Sequence, residues 1–374
     1  MANINLTNAK KAKNDEFYTQ YYDIEKEINA YLESNPNVFK NKVILCPCDD
    51  PEWSNFTKYF AQNFEKLKLK KLISTSYAFA SKGIKGKYIV TTFERKNKNF
   101  NKEKVEINGK NFTLDKDKTG DNRIDIADLD YKYLEGDGDF RSEEVTKLRD
   151  EADLIVTNPP FSLIREFLAW ILEANKKFII IGNLNTITYK EVFPLIKENK
   201  IWLGNNKSGK GNSITFKDMF NKDVDIASKW FTNIDHGRRH QELPLMTMGD
   251  NLKYNNKMKG KKSYETYDNY NAIEVSFTNT IPADYKGIMG VPISFLDKYN
   301  PEQFEIFGMC ENQDLYKLKT RVYTTSECKE AYLKKFGKKG TYDLNASGVI
   351  TRDNIQEKVY QRILIKHKKN KSKE

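Results

Sequence analysis

Asp153-Leu154-Ile155-Val156-Thr157-Asn158-Pro159-Pro160-Phe161 decides the fold class. Leu154 to Thr157 runs without polar alternation, as in a strand covered on both faces, and the two prolines end it. Leu163 to Ala174 then carries Ile164, Phe167, Leu168, Ile171 and Leu172 at helical spacing. Similar units surround this one. Val43–Cys46, Leu72–Tyr77, Tyr131–Leu134 and Lys177–Gly182 read as further buried strands, and Asn55–Leu67 and Lys190–Asn199 as helices. Strand and helix in alternation predict an α/β fold, a doubly wound sheet with helices on both faces. Such sheets bind ligands beyond the carboxyl ends of their strands, which directs attention to the segments after Cys46, Leu134 and Thr157.

Two stretches break the rhythm. Glu94–Arg123 is rich in Lys, Asn and Asp and is expected to be a surface insertion, a hairpin turning at Asn108-Gly109. After Pro244 the composition changes, with an aromatic, polar run from Tyr264 to Tyr270 and turns at Pro282, Gly287, Gly290, Pro292 and Pro301. The expected organisation is a catalytic domain over residues 1–245 and a smaller second domain over 246–374.

With 39% hydrophobic residues in 374, the chain can bury a sizeable core and is not disordered as a whole. A formal net charge of +11 favours polyanionic partners, nucleic acid among them. The run Lys366 to Lys373 is either a solvated tail or an arm that contacts phosphates. Four cysteines without a CxxC pair, and three histidines, argue against a zinc site, so no metal is expected. Few cysteines, no apolar stretch of membrane length and no signal-peptide pattern point to the cytoplasm.

The residue types at Asn158–Phe161 suit one chemistry. The exocyclic N6 of adenine is a poor nucleophile because its lone pair is delocalised into the ring. A group that accepts hydrogen bonds from both N–H bonds draws that pair out of conjugation. The Asn158 side-chain oxygen and the Pro159 carbonyl can be the two acceptors. Pro159 and Pro160 have fixed φ and no N–H, so the loop is stiff and presents carbonyls. Phe161 offers a face for an extruded base. Positioning and electrostatics then carry the reaction, without a dedicated general base.

Asn158-Pro159-Pro160-Phe161 resembles motif IV of the amino-methyltransferases. Asp15 to Tyr21, Cys48-Asp49-Asp50-Pro51, Ser54-Asn55-Phe56, Gly136 to Ser142 and Ile187 to Glu191 resemble the EcoRI-type adenine-specific DNA methyltransferase family. So do Leu243-Pro244-Leu245, Tyr267 to Tyr270, Gly290 to Ile293 and Arg362 to Lys366. The Glu94–Arg123 insertion and much of Phe307–Tyr360 fall outside the resemblance. It implies a Rossmann-like sheet that uses S-adenosylmethionine, a smaller C-terminal target-recognition domain and duplex DNA as partner. A cognate restriction endonuclease acting on the same site is a further expectation.

Carried over by position, Phe17, Tyr18 and Thr19 line the cofactor. Cys48, Asp49 and Asp50 form its loop, an acidic group pairing with its amino group. Asp139 accepts from its adenine amine and Phe140 covers the ring. Two departures weaken these assignments: no glycine-rich loop follows Val43–Cys46, and no acidic residue ends the strand at Ser76. Asp49 and Asp50 can equally be a helix cap, and Asp137 and Asp139 a plain turn. Trp230 and Phe231 either reach the target base or pack in the core. Arg238 and Arg239 are candidate phosphate or guanine contacts, or a solvated loop, and Lys207 and Lys210 sit in a loop able to track a phosphate backbone. The competing readings are methylation of another planar amine, an RNA base or a protein glutamine, and a catalytically dead DNA-binding protein.

Overall fold

The computed structural model describes residues 18–50, 54–82, 90, 94–95, 97–205, 213–217 and 222–368. They form two compact units. The first runs to Gly237 but omits Lys197–Asn199; the second takes those three residues and continues from Arg238.

The first unit contains β1 (Tyr18–Thr19), α1 (Tyr21–Ser34), β2 (Val43–Cys46), α2 (Asn55–Gln62), β3 (Lys71–Ser76), β4 (Lys110–Leu114) and β5 (Asp130–Tyr133). It continues through α3 (Glu143–Glu151), β6 (Leu154–Thr157), α4 (Ile164–Glu173), β7 (Lys177–Asn183), β8 (Trp202–Leu203), β9 (Ser213–Lys217) and β10 (Asp223–Thr232). All its strands join one sheet in the order β1-β9-β10-β7-β6-β2-β3-β4-β5, with β8 on β10. The central pairs β7–β6, β6–β2 and β2–β3 are parallel, and the flanks are antiparallel.

The five strands read from the sequence are present, and β2 and β6 are buried along their whole length. Ile44, Cys46, Leu72, Leu154, Val156, Ile179 and Ile181 share one apolar cluster with Ile24, Ile28 and Tyr31 of α1 and with Phe56, Tyr59 and Phe60 of α2. Period-2 alternation sends Leu45, Ile73 and Ile155 to the opposite face. The helix expected over Asn55–Leu67 breaks at Asn63, whose amide donates to the Tyr59 carbonyl at 2.9 Å. The one expected over Lys190–Asn199 is cut to Phe193–Lys197, with Pro194 in its first turn, where a missing N–H leaves nothing unsatisfied.

Two expectations, one about the insertion and one about the strand after it, need correction. Asn108-Gly109 turns no hairpin within the insertion. Gly109 instead leads into β4, which adds to the main sheet between β3 and β5. Its apolar side chains explain why: Phe112 and Leu114 are buried in the same cluster as α1 and α2. Likewise β5 is not a further parallel strand but the antiparallel partner of β4.

The second unit holds α5 (Met248–Tyr254), β11 (Ala272–Glu274), β12 (Ile288–Pro292), β13 (Phe304–Met309), α6 (Thr325–Phe336), β14 (Val349–Arg352), β15 (Ile355–Lys358) and β16 (Arg362–His367). Its sheet runs β11-β12-β16-β13, and β14 and β15 form a separate hairpin. A buried ion pair ties two of the strands: Arg362 Nη2 lies 2.7 Å from Glu274 Oε1, and the Tyr267 hydroxyl donates to the same carboxylate. A buried charge must be paired and hydrogen-bonded in this way to be tolerated. Lys366 and His367, expected at the start of a charged tail, belong to β16, where His367 Nε2 lies 2.8 Å from the Pro282 carbonyl. The rest of that run, from residue 369, lies outside the described residues. Among the described residues no helix is long and apolar enough to cross a membrane, and no three His, Cys, Asp or Glu side chains gather as a metal site would require.

Candidate active site

Among the described residues, the candidates Cys48 to Asp50, Asp139, Phe140 and Asn158 to Phe161 lie in loops at the carboxyl ends of β2, β3 and β6. Beyond β2 the chain passes Pro47 and reverses at Cys48, whose φ of +67° lies in the left-handed region. It then delivers Asp49 into the interior. The Asp49 N–H donates to the Thr75 carbonyl at 2.7 Å, and its own carbonyl accepts from the hydroxyls of Ser74 and Thr57. One carboxylate oxygen accepts from the Ser54 hydroxyl at 2.6 Å. The other lies 2.5 Å from the Thr157 hydroxyl, which also reaches the Pro47 carbonyl at 2.6 Å. Asp49, 5% exposed, is therefore bonded on every side by protein, whereas Asp50 is only partly buried.

Asn158 follows Thr157 directly and is partly exposed, with Pro159 buried and Pro160 partly exposed behind it. A short 3-10 turn, Phe161–Leu163, then leads into α4. Phe161 does not present an open face: it is 5% exposed and packs edge-on against Phe216 of β9, with ring centroids 6.0 Å apart. β9 pairs with β1, so Phe216 stands opposite Thr19 and links the loop to the N-terminal motif. Thr19 is also tied to α2, its carbonyl accepting from the Asn55 amide at 2.8 Å.

The third loop, Gly136–Ser142, crosses the end of β3. Gly138 has a φ of +83°, and a Cβ there would stand 2.3 Å from the Ser76 carbonyl oxygen. The Ala78 N–H donates to the Asp137 carbonyl at 2.7 Å. The Tyr77 hydroxyl is raised above its usual pKa by burial and by the neighbouring Asp137 and Asp139 carboxylates. Arg141 grips Asp139 in a two-pronged contact at 2.9 and 2.6 Å and reaches Glu166 of α4 at 2.9 Å. That contact holds the Asp139 carboxyl below the usual carboxylate range. Phe140 is buried against Phe167 and Trp170 of α4, at 5.0 and 5.6 Å, and so acts as the loop's anchor.

The chemistry of these residues fits a methyl donor bearing an ammonium, a carboxylate and a purine. Asp50, Asp137 and Asp139 supply partly exposed carboxylates. Among the described residues the buried hydroxyls of Thr19 and Thr75 have no hydrogen-bond partner, an arrangement that proteins rarely leave unused. Tyr18 is half-buried beside Thr19, and Phe17 lies outside the described residues.

The expected nucleic-acid contacts fare differently. Trp230 and Phe231 lie within β10, fully buried, and belong to the core. Arg239 is also buried and donates to the Asn199 side-chain oxygen at 2.5 Å, so it supports the second unit from inside, whereas Arg238 is partly exposed. Lys207 and Lys210 lie outside the described residues. Sequence reasoning passed over Thr157, Ser54 and Arg141. The signals were modest: a hydroxyl residue closing an apolar strand, a serine one place before a helix, and an arginine two places after an aspartate.

Asn-Pro-Pro-Phe at the end of β6, with acidic loops at the ends of β2 and β3, suits an amino-methyltransferase, and the comparisons with known proteins agree. The family model for the EcoRI adenine-specific methyltransferase matches residues 5–368. The type II methyltransferase M.EcoRI of Escherichia coli is 45% identical over 324 residues, 83% of this chain and 90% of its own length. M.MpnI of Mycoplasma pneumoniae is 34% identical over 331 residues, covering 85% and 90% of the two chains. M.MgeORF184P of Mycoplasma genitalium is 34% identical over 319 residues, covering 81% and 86%. No solved structure matches the chain at a significant level. The chain belongs to the EcoRI-type family of adenine-specific DNA methyltransferases. The family read from the motifs is thereby borne out, and the match also spans Glu94–Arg123 and Phe307–Tyr360, much of which the motifs had left outside it.

Proposed function

We propose that this enzyme transfers a methyl group from S-adenosylmethionine to N6 of an adenine swung out of duplex DNA, at a specific site, within restriction–modification or DNA protection. The observation that carries this reading is the position of Asn158. It sits at the tip of β6 beside β2, the switch point of the parallel order β7-β6-β2-β3, where sheets of this kind bind ligands. In this reading the first unit is a Rossmann-like sheet with helices on both faces, and the second unit is the target-recognition domain.

S-adenosylmethionine supplies an electrophilic methyl on its sulfonium centre when bound. Thr19, Asp50 and Asp139 would hold it, with Tyr18 alongside and Cys48 shaping the loop. Thr19 and Asp50 face its methionine part, and Asp139 accepts from its adenine amine while Arg141 fixes the carboxylate. The Asn158 oxygen and Pro159 carbonyl accept the two N–H bonds of the target amine, and Pro160 and the buried Phe161 keep that pair rigid. Two aimed acceptors in a water-poor crevice act on the developing charge without reorganising. Arg238 is a phosphate or base contact in this reading, as are Lys207 and Lys210.

The test is Asn158→Ala, assayed with labelled donor on duplex DNA carrying candidate sites. Single-turnover transfer is expected to fall by about 10²–10³-fold while donor affinity stays within about twofold. A near-native rate would refute the role of Asn158. Label appearing on RNA but never on duplex DNA would overturn the substrate.

A further inference from the structure

We propose that Asp49 is a positioning residue for catalysis: through the Thr157 hydroxyl it sets the place of Asn158, and it does not pair with the amino group of the methyl donor. The inference rests on the catalytic role proposed for Asn158. It reverses the role that position in the motif series suggests for Asp49.

The argument starts from the hydrogen-bond capacity of a carboxylate. An ionised carboxylate only accepts, and a donor ligand's ammonium would need an open lone pair facing the crevice. Asp49 has little to offer. One oxygen takes the Ser54 hydroxyl at 2.6 Å and the other faces the Thr157 hydroxyl at 2.5 Å, and the residue is 5% exposed. Its backbone is bound just as fully, through Thr75, Ser74 and Thr57. Asp49 thus knots together the tips of β2, β3 and β6 and the start of α2.

Thr157 is where this knot touches the chemistry. It is the last residue of β6, fully buried, and its hydroxyl lies between the Asp49 carboxylate and the Pro47 carbonyl. The next residue is Asn158. The hydroxyl's single proton is shared between these two acceptors, and that contact fixes the strand's final side chain and so the φ, ψ and height of the residue after it. Rigid acceptors one residue away gain their directional value from such fixing, since a misplacement of about 1 Å can cost about 10²-fold in rate. Ser54 serves the same knot from the other side: its hydroxyl donates to Asp49 and accepts from the Phe56 N–H, so the cap of α2 and the catalytic loop share one carboxylate. Asp50, next in sequence, is only partly buried.

The experiment compares Thr157→Val, Thr157→Ser, Asp49→Asn and the double variant Asp49→Asn/Thr157→Val in the full chain. The measurements are single-turnover transfer, equilibrium affinity for S-adenosylmethionine and affinity for duplex DNA. Thr157→Val is expected to slow transfer by about 10–100-fold with both affinities within about twofold. Thr157→Ser, which keeps the hydroxyl, should recover the rate to within about threefold. Asp49→Asn should match Thr157→Val, and the double variant should be no slower than either, because residues in one network are not additive. A native rate in Thr157→Val overturns the proposal. So does an Asp49→Asn variant whose donor affinity falls tenfold or more while its rate at saturation is unchanged. Should Asp49→Asn fail to fold, the Val and Ser pair at position 157 decides alone. Asn158→Ala is run in parallel: inactive Asn158→Ala with fully active Thr157→Val sinks this inference only, whereas active Asn158→Ala sinks the catalytic reading and this inference with it.

Discussion

Asn158, Asp49 and Gly138 show how differently single residues at neighbouring strand ends are placed. Asn158 is partly exposed as a residue; Asp49 is buried and spends its carboxylate on Ser54 and Thr157; Gly138 contributes by lacking a side chain. At φ +83° and with the Ser76 oxygen 2.3 Å from where a Cβ would stand, only glycine lets the Gly136–Ser142 loop close on β3. Gly138→Ala is expected to destabilise the first unit by about 1–3 kcal/mol in chemical denaturation and to weaken donor binding by displacing Asp139. Unchanged stability would show that the loop stands off from β3. Asn158 was legible because a rare residue combination follows a buried strand. Asp49's duty was not, because its partners Ser54 and Thr157 are 5 and 108 residues away, and only folding brings them within reach of one carboxylate.

At the level of elements, the parallel strands were the most legible part, since unbroken apolar runs have few other destinations. The error at β4 is instructive. Lys110-Asn111-Phe112-Thr113-Leu114 sits in a polar stretch and reads as surface, yet Phe112 and Leu114 alternate into the core cluster while their neighbours pair with β3 and β5. If the segment were ornamental, trimming it would be harmless. Leu114→Ala is instead expected to cost about 2–5 kcal/mol in urea denaturation, as for other fully buried leucines. A loss under about 0.5 kcal/mol would return the insertion to the surface.

For the whole molecule, the second unit carries a tyrosine-rich interior with its own titration signature. Burial pushes Tyr264, Tyr299 and Tyr323 up to about 12, and Tyr267, beside Glu274, also rises. The sign follows from linkage. These tyrosines are neutral when folded and titrate near 10 when unfolded, so their contribution to stability is complete below about pH 10 and is lost as pH climbs toward 12. Alkaline difference spectroscopy should show a fraction of phenols ionising only together with unfolding. Complete titration near pH 10 with the fold intact would contradict their burial.

What the sequence determined by itself was the parallel core of the sheet, the Asn-Pro-Pro-Phe turn at the end of β6 and the family, because apolar runs, paired prolines and ordered motifs are local and survive without a third dimension. Tertiary structure alone decided that Asp49 is buried and bonded to Ser54 and Thr157, that Arg239, Trp230 and Phe161 are inside, and that an insertion supplies a sheet strand. Those outcomes depend on which distant groups share a buried space, and hydrogen-bond capacity and burial are settled only when the strand ends meet.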